Sequence, residues 1–390
     1  MLRKVTSSKP EKPYKDFPLT AHRNGQWCKK IRGKLRYFGK WDDWQAALDL
    51  YEEQRDDLQR GRKPQAKGGL TLAKLMDKFL YDKQQLVESG ELSQRSYDDY
   101  ERTCDKVAAS LDKTLLLTQL GPEDFSTLRT GLAKGTKGKN GPSTLKGHLT
   151  RARMIFNYAN ESGLAEKPIL YRKALKAPNA KIFRQLNNER GERMFSAEEI
   201  RRMIDKAEQP LKAMIYLGIN CGFGNNDCGT LPFGAIDLDN GWHNYARPKT
   251  GNKRRCPLWP ETIEAVREAI DARPEPNCAA NERLVFITKY GHRWSNAESE
   301  RDNPISFEFR KLMIELGMYR KGITTYYSLR RTFETIGASC GEQVAVDMIM
   351  GHCPESTDMA AVYRQKTFDK PLLKVSNHVR DWLQGRVTLD

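Results

Sequence analysis

The stretch from Tyr327 to Tyr363, YSLRRTFETIGASCGEQVAVDMIMGHCPESTDMAAVY, concentrates side chains that suit one reaction centre. Arg330 and Arg331 form a guanidinium pair at an expected helix start, His352 follows a Met-Gly turn, and Tyr363 comes one short helix later. Arginine clamps a phosphate bidentately, histidine donates a hydrogen bond or a proton to its oxygens, and a tyrosyl hydroxyl can attack phosphorus. Such a set suits phosphodiester transfer through a covalent protein–DNA bond, provided the fold gathers the groups. Each residue alone has a plainer use: Arg330 as a helix cap, His352 as a turn residue, Tyr363 as core filling. Order and spacing together favour the chemistry.

The elements that must position these groups begin at the capping box Ser196-Ala-Glu-Glu199, which opens a helix with Ile200, Met203 and Ile204 on its buried side. A second apolar helix, 211–221, leads into Gly222-Phe-Gly-Asn-Asn-Asp-Cys-Gly-Thr-Leu231. Two short strands follow, 235–238 and 242–247, with Asp239-Asn-Gly241 as the turn, and then the hairpin Pro248-Lys249-Thr250-Gly251. The pattern next predicts a helix over 260–272, a buried strand over 284–287, and a helix with Phe309, Leu312, Met313 and Leu316 inward. The tail carries Leu372, Val375, Val379 and Trp382 at helical spacing, a stripe that fits either the chain's own core or a neighbouring subunit.

These boxes resemble the C-terminal signature of the tyrosine recombinases, the phage-integrase family. Members read His-x-Leu-Arg-His-Thr-Phe-Ala-Thr, then Leu-Gly-His, then Tyr in a short helix. Here Tyr327-Ser-Leu-Arg330-Arg331-Thr-Phe-Glu-Thr335 matches the first box with tyrosine in the histidine place, Met350-Gly351-His352 the second, and Tyr363 the nucleophile. The interval from His352 to Tyr363 is about two residues longer than the family's. Upstream, the family's Gly-Leu-Arg-x-x-Glu-Leu aligns with Gly224 at the arginine and Asp227 at the acid, so one phosphate clamp is missing. Arg331, Arg247, Arg254 and Arg255 are candidates to replace it. Lys249 matches the lysine of the family's Lys-Thr-Gly hairpin.

By that resemblance, Tyr363 attacks a DNA phosphate to give a 3′-phosphotyrosyl bond. Arg330 and His352 hold the phosphoryl oxygens, Lys249 protonates the leaving 5′-oxygen, Tyr327 stands in for histidine as a weaker acid, and Asp227 orients a neighbour. No metal and no other cofactor is implied, because the bond energy stays in the covalent intermediate. The partners implied are double-stranded DNA and further protomers assembled on it; accessory DNA-bending proteins are compatible with this.

Composition agrees with such partners. Sixty-six Lys and Arg against 50 Asp and Glu give a net charge of +16 over 390 residues, enough chain for two or three domains. No apolar run approaches the roughly 20 residues of a membrane-spanning helix. The basic N-terminus has no apolar core of a secretory signal, and the eight cysteines form no Cys-x-x-Cys pair. A cytoplasmic chain with reduced thiols is expected, and a zinc module is not.

Three parts are expected. Residues 1–62, where residues 3–36 hold eleven Lys/Arg against two Asp/Glu, resemble the basic arm-type DNA-binding domain that many integrases carry at this end. Its segment 25–39 alternates around Gly33 as a hairpin, with Trp27, Ile31, Leu35 and Tyr37 or Phe38 packing and Lys29, Lys30, Arg32, Lys34 and Arg36 facing water and DNA. A helix through Trp44, Ala47, Leu48 and Tyr51 covers it. After a Gly- and Lys-rich linker, residues 70–178 read as a four-helix unit with a basic edge, which resembles the family's core-binding domain. Lys137, Lys139, Lys146, Arg151 and Arg153 supply that edge, and Arg331 adds a phosphate contact in the catalytic part, 194–390. Residues 168–193 have no long periodicity and read as linker. The fold class expected is α+β, mainly α, and the function that of a mobile-element recombinase. The rival readings are a catalytically impaired DNA-binding protein on the same fold and a topoisomerase using the same tyrosine chemistry.

Overall fold

A computed structural model describes residues 9–61, 69–135, 138–165, 167–171, 173–295, 303–352 and 368–388. The chain divides into two compact units, residues 1–183 and 184–390. It is mainly helical with small sheets.

The first unit holds two apolar cores. In the first of these, β1 (Thr20–His22), β2 (Gln26–Ile31) and β3 (Lys34–Lys40) form an antiparallel sheet in that order. Arg32 and Gly33 both adopt positive φ, at 47° and 79°, which is what a two-residue hairpin turn asks for. Trp27, Ile31 and Phe38 are buried under α1 (Trp44–Gln59), with Ala47 and Tyr51. Leu35 and Tyr37 are instead exposed. A register shift between Trp27 and Cys28 breaks strict alternation and turns β3 before Phe38 outward.

The second core is built by α2 (Leu72–Glu88), α3 (Gln94–Ser110), α4 (Pro122–Ala133) and α5 (Pro142–Glu161), the four helices that the apolar spacing predicts. Ser93 caps α3 by accepting from the Ser96 amide at 3.3 Å, and Gly163 leaves α5 at φ 66°. The basic loop after α4 closes as a two-strand ribbon, β4 (Lys134–Gly135) and β5 (Gly138–Lys139).

The second unit opens with α6 (Ala180–Arg190), whose first residues belong to the end of the first unit. The boundary between the units falls inside the expected linker 168–193, which contains an eleven-residue helix not expected from the sequence, none of its residues being buried. The Ser196–Glu199 capping box forms as read, at 3.1 and 2.9 Å, and starts α7 (Ala197–Lys206). Next come α8 (Leu211–Asn220), α9 (Asn225–Gly229), β6 (Ile236–Asp237), β7 (Trp242–His243) and β8 (Cys256–Pro257), the strands forming one antiparallel sheet. The chain continues through α10 (Pro260–Asp271), α11 (Ala279–Glu282), α12 (Pro304–Glu315), α13 (Tyr327–Ala338), α14 (Gln343–Met350) and the C-terminal helix Asp369–Leu383.

Residues 284–287 are buried but make only isolated bridges, Pro232 to Leu284 and Ile287 to Arg293, so the expected strand is not formed. Burial of an apolar run does not require a ladder. The tail stripe closes the chain's own core: Leu372, Val375 and Val379 are buried in the same cluster as Leu329, Phe333 and Val346. A buried polar knot ties that helix down. The Asn220 amide donates to Ser376 Oγ and to the Pro257 carbonyl, each at 3.1 Å, and Trp259 Nε1 reaches Ser376 Oγ at 2.9 Å.

Candidate active site

Helix α13 delivers Arg330 to the interior. Its buried face carries Leu329, Arg330, Phe333, Ile336 and Gly337, so the guanidinium enters with the apolar stripe and is only 1% exposed. It donates to the Gly222 carbonyl at 2.5 Å and to the Met350 carbonyl at 2.6 Å. Burial, and then the nearby charge of Arg247, holds its proton affinity below the ordinary guanidinium value.

His352 is placed by the way α14 ends. Gly351 is left-handed at φ 61°, and the His352 amide then folds back to the Asp347 carbonyl at 3.0 Å. The imidazole Nδ1 lies 3.2 Å from Asp347 Oδ1, while Nε2 is 3.7 Å from Glu334 Oε2. The ring is thus held between two carboxylates, Asp347 on its Nδ1 side and Glu334 on its Nε2 side. Asp347 was not singled out from the sequence. Its signal is a lone acid within the apolar run Val344-Ala-Val-Asp-Met-Ile-Met350.

An open pocket of about 750 Å³ is lined by Arg193, Tyr327, Arg330, Arg331, Glu334 and His352, among others. Three arginines and one carboxylate, Glu334, line this concavity, which is large enough for a phosphodiester. Tyr327 is 41% exposed, and the Arg331 guanidinium lies 5.8 Å from its ring centroid.

Gly224 caps α9, and Asp227 holds it there: Oδ2 accepts from the Gly224 amide at 2.7 Å. A Cβ at Gly224 would sit 3.6 Å from the Tyr327 ring, so the ring occupies the space next to the absent side chain. The other Asp227 oxygen accepts from Arg254 Nη2 at 3.1 Å, and both side chains are almost fully buried. Arg254 Nε reaches the Tyr245 carbonyl at 2.9 Å, and the guanidinium lies 4.7 Å from the Phe223 ring centroid. This pairing joins residues 27 positions apart and had no local signal.

Lys249 is exposed on a tight turn closed by the Arg247 amide to the Asn252 carbonyl and the Gly251 amide to the Arg247 carbonyl, each 2.8 Å. It does not line the pocket. Tyr363 lies outside the described residues, as does Lys137.

Elsewhere in the second unit, Cys221, His243 and Cys256 bring their ligating atoms within 4.8 Å of one another, all buried. Strand register does this, since His243 pairs with Cys256 across β7 and β8. Burial, followed by the charges of Arg254 and Arg255, depresses the imidazole pKa to about 3, so it is neutral. Neither ring nitrogen has a hydrogen-bond partner among the described residues. No fourth His, Cys, Asp or Glu among those residues joins the set, which falls short of a structural zinc shell.

In the first unit, Lys30, Arg32, Lys34, Arg36, Lys139 and Lys146 are exposed. Lys29 is half-buried, with its ammonium 4.7 Å from the Tyr51 ring centroid. Arg151 is ion-paired to Asp99, and Arg153 reaches Thr150 Oγ1 at 3.5 Å.

Residues 193–370 match the model of the phage integrase family. Tyrosine recombinase XerC of Alcanivorax borkumensis is 25% identical over 291 residues, covering 70% of this chain and 84% of the relative. A lambda integrase tetramer solved bound to a Holliday junction aligns at 17% identity and TM-score 0.54, over 91% of this chain and 98% of that one. The Tn1549 transposon integrase, solved in complex with circular intermediate DNA, aligns at 15% identity and TM-score 0.54, over 77% of this chain and 97% of that one. The second unit thus carries a segment, residues 193–370, that is similar to the phage integrase family, the tyrosine recombinases.

Proposed function

We propose that the chain is a site-specific DNA recombinase of a mobile element, cutting and rejoining DNA through a 3′-phosphotyrosyl intermediate. The observation that carries this reading is the convergence of Arg330, His352 and Tyr327 on one cationic pocket, in a family-matched segment that runs on through Tyr363. Tyr363 Oη attacks phosphorus and gives up its proton to solvent or a neighbouring base. The bond to the 5′-oxygen breaks, and Lys249 supplies that oxygen with a proton. Rejoining reverses the exchange. For Lys249 to act, its exposed turn must close on the phosphate when DNA binds. Asp227 acts through Arg254 and the Gly224 amide as a positioning residue.

The chain is read in three parts, 1–62, 70–178 and 194–390, which the three separate apolar cores favour. Lys30, Arg32, Lys34, Arg36, Lys139 and Lys146 would contact backbone phosphates, Lys29 and Arg153 less directly, and Arg151 only if it leaves Asp99. Lambda integrase, solved as dimer and tetramer on DNA, supports protomers assembling on the duplex.

The second reading is a DNA-binding protein with impaired catalysis. It is favoured by Gly224, which offers no guanidinium, and by Arg330, whose nitrogens are engaged by two carbonyls. A plasmid carrying the joined ends of the chain's own element separates the readings. A recombinase resolves or joins such sites and leaves plasmids without them untouched. Salt-sensitive binding without strand exchange supports the second reading, and relaxation of any supercoiled plasmid supports a topoisomerase.

A further inference from the structure

Two arginines hold consecutive carbonyls of the turn that presents His352. Arg330 Nη2 donates to Met350 at 2.6 Å, and Arg247 Nη1 approaches Gly351 at 3.4 Å. Asn252, at the other end of the hairpin turn, donates to the His352 carbonyl at 2.9 Å. The turn thus lies directly on the hairpin: a Cβ at Gly351 would come 3.2 Å from Arg247 Cβ. Its glycine is needed both for this approach and for its left-handed φ.

Arg247 and Arg330 are like charges, and after burial the charge of Arg247 is what most disfavours that of Arg330. Arg330 is committed to two carbonyls at close range. Arg247 is half-buried, its contact is long for an N–H to oxygen bond, and among the described residues no carboxylate pairs with it. Arg247 therefore keeps guanidinium donors that no described residue takes up. Two of the other candidates are occupied. Arg254 is buried against Asp227, and Arg255 makes a two-pronged pair with Asp369 at 2.9 and 3.1 Å while stacking 4.0 Å from the Trp242 centroid. Arg331 stands on the open side of the pocket, beside Tyr327.

We propose that Arg247 is the second guanidinium of the phosphate site, reaching in from the hairpin to bind the scissile phosphate beside Arg330, in place of the side chain that Gly224 lacks. This rests on the recombinase reading above. It also makes the hairpin a single arm, since Arg247 and Lys249 would move onto the phosphate together.

The test compares the full chain with Arg247→Ala and Arg247→Lys on nicked duplexes from the element's ends, bearing either the natural scissile phosphate or a neutral methylphosphonate there. Thermal melting confirms that both variants fold. Arg247→Ala is expected to slow cleavage by about 10²–10³-fold on the phosphate, in line with loss of a transition-state donor, and Arg247→Lys by less. On the methylphosphonate, where no charge needs neutralising, the deficit shrinks to within a few-fold. Unchanged cleavage by Arg247→Ala, or an equal deficit on both substrates, overturns the proposal. If the parent chain cleaves neither duplex, the recombinase reading fails, and equilibrium binding decides the role of Arg247 separately. The parent should then prefer the charged duplex and Arg247→Ala should not; equal preference in both removes Arg247 from the phosphate site.

Discussion

Arginine and lysine do opposite work in the hairpin of the first unit and in the pocket of the second. On the hairpin, Lys30, Arg32, Lys34 and Arg36 stand in water on a sheet whose core is apolar, and the fold does not depend on them. In the second unit, Arg330 and Arg254 are as buried as the surrounding phenylalanines, and they hold carbonyls and a carboxylate within the interior. An exposed cation acts at long range and is screened by salt. A buried one is part of the packing, and removing it strands its partners.

The contrast is broken most severely at the buried pair. Asp227→Ala leaves Arg254 charged, buried and unpaired, and a loss of about 3–5 kcal/mol in denaturant unfolding of the second unit is expected. Arg330→Met at the pocket floor unpairs two carbonyls, and about 2 kcal/mol or more is expected by the same measurement.

His243 sharpens the comparison, because it is buried and basic without being charged. Its unfolded imidazole takes a proton near pH 6.5 and its folded one only near pH 3. Between these values the unfolded state holds the extra proton, so stability is whole above about pH 6.5. It falls as pH drops toward 3, by about 1.4 kcal/mol per unit. His243→Leu should remove that one-proton slope from the acid side of a pH–stability curve and raise stability at neutral pH, since two unpartnered nitrogens go with it.

A smaller effect is expected at the cap of α7, where Ser196→Ala costs about 1 kcal/mol. The smallest effect on stability is expected on the hairpin. Changing Lys30, Arg32, Lys34 and Arg36 together to Gln should alter unfolding by no more than about 0.5 kcal/mol per site. It should nevertheless flatten the dependence of DNA affinity on salt, by about 0.9 in log–log slope for each phosphate the variant no longer neutralises.

The same difference decides what could be read from sequence. Exposed charge and local periodicity are written consecutively, so the hairpin around Gly33, the four helices of the first unit and the Ser196 cap were legible. The boxes around Arg330 and His352 were legible because their spacing is fixed within two adjoining helices, α13 and α14. What was not legible depends on tertiary pairing. Asp227 with Arg254, Arg247 on the Gly351 carbonyl, and the Cys221–His243–Cys256 cluster all join residues far apart in the chain. Helix α6 buries none of its residues, and the strand shift at Trp27 and Cys28 changes which residues of β3 face the core.

The measurement that reaches the central claim most directly is covalent trapping. The protein is incubated with nicked duplexes from the ends of its own element, denatured, and examined for a DNA adduct, with Tyr363→Phe alongside. An adduct in the parent that is absent from Tyr363→Phe, mapped by peptide mass to Tyr363, is the result expected. Tight binding to the same duplexes with no adduct would contradict the account and leave a recombinase fold that holds DNA without cutting it.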